Sequence, residues 1–304
     1  MRIAVTGANG FVGRHLMAQL QLAGLDAIGL CRKATEQANC HKVSFQDTHQ
    51  VVAALEGADS LIHLIGKAHA QGQNSWQAFQ ETNVHLTLQI AQAALAANVK
   101  RFIYVSSVKA LGETTEPGTP FNNASAPDPQ DDYGRSKLLA EQQLNSLFSD
   151  KQAELIIVRP PLIWGETPKG NLAALLRWAK TGIPLPLNKL HNKRHWVSVE
   201  LLCEFLIHLA TTQRVLAQLP PLLVSDPHAL STTDAIKRLL KAENLPSRFF
   251  SLPQPLWRLL ARLPMLRGPV AKLTESLEVD AQDSWAATGW HPTRHHGNHG
   301  TPND

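Results

Sequence analysis

Ile3-Ala4-Val5-Thr6-Gly7-Ala8-Asn9-Gly10-Phe11-Val12-Gly13 joins a short apolar run to three glycines spaced three residues apart. The apolar residues read as a buried strand. Val12, Leu16 and Leu20 then fall at i, i+4 and i+8 on one face of a helix that Gly24 closes at its C′ position. Glycine at 7, 10 and 13 permits a tight turn, lets backbone N–H groups approach a pyrophosphate, and lets the helix pack closely on the strand. The start of that helix then faces the negative charge. Gly7, Asn9, Gly10, Phe11, Val12 and Gly13 are therefore the candidate contacts of a dinucleotide phosphate.

Outward from this loop the same alternation repeats. Ala27-Ile28-Gly29-Leu30, Ser60-Leu61-Ile62-His63-Leu64, Phe102-Ile103-Tyr104-Val105 and Leu155-Ile156-Ile157-Val158 are further short apolar runs, and Val84, Leu88, Ala91 and Leu95 mark a long helix between two of them. Strands that read as near-continuous apolar runs, with helices between, predict a parallel sheet covered on both faces: an α/β, Rossmann-type doubly wound fold. Residues 1–165 form the expected dinucleotide-binding domain. Beyond Gly165, prolines at 184, 186, 220, 221, 227, 246, 253, 255, 264 and 269 break the pattern into shorter helical pieces. Residues 166–292 are expected to be mainly a smaller substrate lobe, with some elements returning to the first domain. Residues 293–304, with His295, His296 and His299 but no apolar periodicity, are expected to be a disordered tail. Leu256-Trp257-Arg258-Leu259-Leu260-Ala261-Arg262-Leu263 is apolar and basic at helical spacing; core packing of the second lobe is preferred over a membrane-surface helix.

Composition narrows the function. The chain has 304 residues, 43% hydrophobic and 18% charged, which describes a soluble globular protein. Its 29 basic and 25 acidic residues form no dense block with interleaved aromatics, so no nucleic-acid partner is expected. Cys31, Cys40 and Cys203 match neither a disulfide framework nor a zinc site, which fits a reducing cytoplasm and no metal. No run reaches the roughly 18 apolar residues of a membrane span. The apolar run at the N-terminus stops at Thr6-Gly7, too short for a signal peptide.

Tyr133-Gly134-Arg135-Ser136-Lys137 places a Tyr and a Lys at i and i+4, on one face of a helix that follows the fourth strand; Ser106-Ser107 ends that strand. Were a dinucleotide bound at the glycine loop to exchange a hydride with a carbinol carbon, a proton would have to move at the carbinol oxygen. A phenol serves if its pKa is brought toward neutrality, which Lys137 and a positive nicotinamide would favour.

With Thr6-Gly7-Ala8-Asn9-Gly10-Phe11-Val12-Gly13 as T-G-x-x-G-x-x-G and Tyr133 with Lys137 as Y-x-x-x-K, the chain resembles the extended short-chain dehydrogenase/reductase family, the NAD-dependent epimerases and dehydratases. The resemblance spans roughly residues 1–292. It implies Ser107 as the catalytic serine, with Ser106 the alternate, Tyr133 as the acid/base, and Lys137 on the nicotinamide ribose. His63-Leu64-Ile65-Gly66 stands where the family has H-L-A-A beneath the cofactor, which assigns Leu64 to it, and Asn83 matches a buried asparagine. Arg159-Pro160-Pro161-Leu162-Ile163-Trp164-Gly165 resembles R-P-x-x-x-Y-G lining the nicotinamide, with Pro160 a contact and Trp164 in place of Tyr.

In the nucleotide-sugar branch, Asn171 matches an asparagine that touches substrate, and Arg194 an arginine that binds the diphosphate. His195 and Glu200 depart from the commoner residues, and no second diphosphate arginine is assigned among Arg248, Arg258, Arg262 and Arg267. Leu30-Cys31-Arg32-Lys33 offers two cations and no carboxylate until Glu36, so Arg32 and Lys33 favour NADP through its 2′-phosphate, with NAD the alternative. Asp47 is expected to cap the following helix.

The segments Gly182-Ile183-Pro184-Leu185-Pro186-Leu187 and Leu277-Glu278-Val279-Asp280 look like bacterial UDP-sugar 4-epimerases and 4-ketoreductases. The resemblance thus implies an oxidoreductase working at C4 of a UDP-linked sugar, foremost a 4-keto-sugar reductase of surface-polysaccharide biosynthesis. The alternatives are a 4-epimerase holding NAD and, in a different class, a dinucleotide-sensing regulator, which would lack the Tyr and Lys. A homodimer is implied through the helices at 84–97 and 133–147.

Overall fold

The computed structural model describes residues 1–33, 39–68, 75–165 and 171–292, without the side chains of 171–173, 254, 264, 265, 267 and 269. The elements of the first half are β1 (Arg2–Thr6), α1 (Phe11–Leu22), β2 (Asp26–Cys31), β3 (Cys40–Lys42), α2 (Thr48–Leu55), β4 (Ser60–His63), α3 (Ser75–Phe79), α4 (Leu86–Ala96), β5 (Arg101–Val105), α5 (Asp132–Phe148) and β6 (Glu154–Arg159). Then come β7 (Leu162–Trp164), α6 (Asn171–Lys180), β8 (Trp196–Ser198), α7 (Val199–Thr211), β9 (Leu222–Leu223), α8 (Thr232–Ala242), α9 (Gln254–Arg262), α10 (Pro264–Thr274) and α11 (Gln282–Thr288).

Seven strands pair in the order β3-β2-β1-β4-β5-β6-β9, all parallel. This is the doubly wound arrangement the apolar runs predicted. One face is filled by Leu16 and Leu20 of α1 with Leu202, Phe205 and Leu209 of α7. Val51 of α2, Ile90 of α4 and Leu144 of α5 fill the other. Strand order reverses between β1 and β4, and open α/β sheets place their ligands in the crevice beyond the strand ends at such a point. Asp47 caps α2 as expected, its carboxylate accepting from the N–H groups of His49 and Gln50.

Gly24 closes α1 with φ +65°, and Leu25 N donates to Leu20 O at 3.0 Å. Between α3 and α4 the helix widens into a single π turn over Gln80–His85, which carries Asn83 inward. Two sheet strands, β3 and β9, lie outside the five apolar runs. They are three and two residues long, on opposite edges.

After β6 the chain leaves the sheet through Pro160 and Pro161 and forms a second, two-stranded parallel pairing of β7 with β8. The lobe built around it has its own core of Leu176, Leu185, Leu187, Trp196, Ile236 and Leu240. Helix α7 and strand β9 return to the main sheet. The segment Leu277-Glu278-Val279-Asp280 stitches two loops together: Phe121 N donates to Glu278 O and His195 N to Leu277 O, both at 2.9 Å. Core packing of Leu256 to Leu263 holds for one side of the stretch only, where Trp257 packs against the lobe core. Of that stretch Trp257, Leu260 and Ala261 are half-buried, while Leu256, Leu259 and Leu263 are exposed. Periodicity alone cannot tell an inward apolar stripe from an outward one. The tail at 293–304 lies outside the described residues.

Candidate active site

The glycine loop has the shape its sequence asked for. Gly7 adopts φ +73°, its N–H donating to Leu30 O at 3.1 Å, and Gly10 N returns to Gly7 O at 2.9 Å. A Cβ on Gly13 would lie 2.3 Å from Gly7 O, so no side chain fits where α1 meets β1. Gly10 stands at the N-cap with no side-chain cap, which leaves the first turn of α1 available to an anion. Leu64 and Ile65 cross directly over Gly7, whose added Cβ would be 3.2 Å from both Leu64 C and Ile65 N. Phe11 meets Gly165, 3.0 Å from ring to an added Cβ there. Asn9 is exposed and its carbonyl accepts from Arg14. Arg32 and Lys33, also exposed, follow the end of β2. These residues fit a dinucleotide: the cradle is one that any Cβ would fill, and the helix start is uncapped.

Ser107, Tyr133 and Lys137 come together beyond β5. Ser107 begins a turn, its Oγ accepting from Lys109 N at 3.2 Å, and its side chain is near enough to the Tyr133 phenol to favour the phenolate. Tyr133 lies in the first turn of α5, whose N-cap Asp131 accepts from Gly134 N at 2.7 Å. A Cβ on Gly134 would stand 2.4 Å from Lys109 O, so this helix start presses against the turn bearing Ser107. Lys137, one turn further on, is buried. Its Nζ donates to Val105 O at 2.9 Å and lies 4.6 Å from the centre of the Tyr104 ring. Gly66 leaves open the space beside that ammonium, an added Cβ lying 3.3 Å from Nζ.

Burial brings Lys137 down to about 8, opposed by the negative charge of Glu141, so it is mainly an ammonium at neutral pH. Tyr133 departs from the expected depression. Burial pushes it up to about 12, with the Asp131 charge adding to the rise and the Ser107 side chain opposing it. Burial is thus the main reason, and the Lys137 ammonium is meanwhile engaged by Val105 O and the Tyr104 face. By its own groups the chain therefore holds Tyr133 as a protonated acid.

Ser106, the alternate serine, has another task. It donates to buried Glu141, which Arg159 clasps through Nε at 3.0 Å and Nη2 at 2.5 Å. This closed network, one ion pair and a serine hydroxyl, fixes α5 against the ends of β5 and β6. Asn83 does the same from the π turn: it donates to Ser136 Oγ at 2.9 Å and accepts from Lys67 N at 2.7 Å. Below Lys137, His63 is wholly buried between Thr6 Oγ1 at 2.8 Å and Thr87 Oγ1 at 3.1 Å. Burial, with Lys137 nearby, holds it down to about 3, so it is neutral. The sequence reading missed Lys109, which bridges Glu113 and Asp131 and sits 6.0 Å over the Tyr133 ring. An Asp two residues before the Tyr at a helix start was the available signal.

On the lobe side, Arg194 is half-buried. Nη1 donates to Glu275 O at 2.8 Å, and burial lowers its pKa against the charges of Glu113 and Glu275. Glu113, paired with Lys109, is thus near enough for its charge to act on Arg194. Trp164 donates to Asp226 at 2.8 Å, and Asp226 also accepts from Ser198 N, which fixes the indole at the mouth of the second sheet. Pro160 is buried, its carbonyl accepting from Val108 N. Asn171 opens α6, but its side chain lies outside the described residues. Among the described residues no cluster of His, Cys, Asp or Glu could hold a metal ion, and no helix is long and apolar enough to cross a membrane.

The family model described as the NAD dependent epimerase/dehydratase family matches residues 3–218. The chain belongs to that family. It is 32% identical to a UDP-glucose 4-epimerase of Vibrio cholerae over 307 aligned positions, which cover 95% of this chain and 90% of the relative. Its fold is similar to that of UDP-N-acetylglucosamine 4-epimerase from Bacillus cereus, with a TM-score of 0.75, 19% identity, and 95% and 93% of the two chains covered. A UDP-glucuronic acid 4-epimerase from Bacillus cereus, solved with NAD, gives a TM-score of 0.75 at 17% identity, covering 96% and 94%. As a member of the epimerase/dehydratase family the chain is an enzyme, and the regulator alternative falls: Tyr133, Lys137 and Ser107 are all present and assembled.

Proposed function

We propose that this family member is a 4-epimerase of a UDP-linked sugar, working with a resident NAD. The observation that carries the reading is the placement of Ser107, Tyr133 and Lys137 beside the glycine loop, with Lys137 against Gly66 of the segment that crosses it. The long match to a UDP-glucose 4-epimerase supports the substrate class.

Bound dinucleotide supplies the acceptor, and then the donor, of a hydride at C4, together with a positive charge beside the phenol. Once the positive charge of a bound dinucleotide offsets the burial that keeps the phenol protonated, the ionised Tyr133 would take the proton of the sugar O4 as the C4–H bond breaks, and return it to the 4-keto oxygen once the sugar has turned its other face. Ser107 hydrogen-bonds that oxygen and positions it. The Lys137 ammonium, fixed by Val105 O and Tyr104, presents its remaining N–H donors to the nicotinamide ribose hydroxyls. Arg194 offers a planar fork to the UDP diphosphate.

Arg32 and Lys33 favour a second reading, a 4-ketoreductase that consumes NADPH, because both cations follow β2 where a 2′-phosphate would lie. Incubation with UDP-glucose separates the two. The epimerase forms UDP-galactose, seen by nuclear magnetic resonance, with no net change in dinucleotide absorbance and with NAD carried through purification. Oxidation of added NADPH in proportion to a 4-keto-sugar substrate, with no epimer formed, would replace the first reading by the second.

The role belongs in surface-polysaccharide biosynthesis in the cytoplasm, a setting in keeping with three free cysteines. Helices α4 and α5 lie side by side on one flank, and their outer faces are the expected homodimer contact, which sedimentation at micromolar concentration tests.

A further inference from the structure

Helices α9 and α10 form a hairpin joined at Leu263, packed against each other and tied to the lobe core through Trp257 and Leu273. Its outer side carries Leu256, Leu259, Leu263 and Leu266, which are 40%, 55%, 49% and 38% exposed, with Phe250 at 45% close by in sequence. Leu256, Leu259 and Leu263 recur at i, i+3 and i+7, a continuous stripe. Arg258 and Arg262, one turn apart and exposed, run along its flank.

Charge is the second observation. From residue 244 to 274 the chain has Arg248, Arg258, Arg262, Arg267 and Lys272 and not one acidic residue. With 29 basic and 25 acidic residues in all, the rest of the protein is net negative by one. All of the excess positive charge thus lies in the segment that exposes the leucines. This combination selects an occupant. Two-fold pairing of copies through the hairpin would set the exposed Arg258 and Arg262 against their own images, with no acidic residue in either helix to offset them. An anionic bilayer instead takes the leucines into the acyl boundary and leaves the guanidinium groups among its phosphates.

We propose that the α9–α10 hairpin docks this enzyme on the surface of an anionic lipid bilayer, lying in the interface without crossing it. The surface stands independently of the catalytic reading: no hairpin residue is assigned a part in the C4 site, and wild-type KM for the UDP-sugar in R258A/R262A would rule out those two as its second diphosphate arginine.

Flotation of the full chain with phosphatidylcholine vesicles, with and without about a third phosphatidylglycerol, tests this directly. Partition onto the anionic vesicles should exceed that onto neutral ones by at least about ten-fold and weaken with salt. Replacing all three stripe leucines, L256E/L259E/L263E, should reduce it to background. R258A/R262A should lower it by about ten-fold or more on anionic vesicles only. These side chains are exposed, so thermal melting and turnover of soluble substrate should stay at wild-type values in both variants. Absence of partition onto either vesicle, or equal partition onto both, would overturn the proposal. So would a leucine variant that sediments as a smaller species while vesicle binding is nil, which would make the hairpin a contact between copies.

Discussion

The sheet half and the lobe hold their functional residues by different means. Around the sheet, backbone and side chains approach so closely that composition is dictated atom by atom: a Cβ on Gly13 meets Gly7 O at 2.3 Å, and one on Gly134 meets Lys109 O at 2.4 Å. Lys137 is buried among Val105 O, the Tyr104 ring and the closed Glu141–Arg159 pair. In the lobe Arg194 is held by loop-to-loop backbone bonds to Leu230 and a side-chain bond to Glu275. The contrast says that proton transfer, which is intolerant of small displacements, is assigned to the rigid half. Binding of a diphosphate, which longer and more adaptable side chains can do, is assigned to the other. Substitutions in the first half should therefore alter stability and turnover, and substitutions in the second should alter affinity.

The largest effect expected is on stability against pH, through His63. Its native pKa of about 3 lies well below the ordinary value of 6.5, because burial disfavours the cation and Lys137 adds repulsion. Above 6.5 neither state is protonated and the residue contributes no pH dependence. As pH falls from 6.5 toward 3 the unfolded chain takes up a proton that the native state refuses, so stability is lost by up to about 1.4 kcal/mol per pH unit. Urea unfolding at steps from pH 7 to about 4.5 should show His63→Gln with a shallower slope than wild type by this amount. Parallel curves would mean that the sheet centre adapts to the charge and is not the rigid half.

Next comes Tyr133→Phe, which deletes the proton carrier while keeping the ring beside Phe79 and under Lys109. Turnover should fall by about two orders of magnitude or more, with dinucleotide affinity nearly unchanged. Near-normal turnover would remove Tyr133 from the mechanism. Arg194→Ala should act the other way, raising KM for the UDP-sugar by roughly ten- to a hundred-fold with kcat changed only a few-fold. A fall in kcat at unchanged KM would erase the division of labour between the halves.

How much of this was legible in the chain divides along the same line. Strands β1, β2, β4, β5 and β6, the glycine loop and the Tyr133–Lys137 pair could all be read, because each is a local pattern buried on two sides or spaced along one helix. Cys40-His41-Lys42 could not be read as β3: it is polar, three residues long and pairs only on one side. Nor could Leu222-Leu223 as β9, behind two prolines. The bonds of Ser106 to Glu141 and of Trp164 to Asp226 span 35 and 62 positions, and no spacing rule reaches that far. In the lobe, the outward turn of Leu256, Leu259 and Leu263 depends on what packs beneath them, which periodicity does not contain.

The smallest effect concerns Arg32, the one residue of the sheet half that should behave like a residue of the lobe. It is exposed just past β2, held by no ion pair among the described residues, and its use would be to attract a 2′-phosphate. Solvent screening limits such a contact to about 1 kcal/mol or a little more, roughly five- to ten-fold in affinity. Arg32→Ala should weaken binding of NADPH by that factor and leave NADH unchanged, as measured by fluorescence titration at one fixed salt concentration. Selective loss for NADPH would strengthen the reductase reading against the epimerase. Equal losses for both dinucleotides would place Arg32 on the shared adenosine and remove the 2′-phosphate argument. In that outcome the positive charge beyond β2 says nothing about dinucleotide choice, and the retained-NAD reading stands on the catalytic end of the site alone.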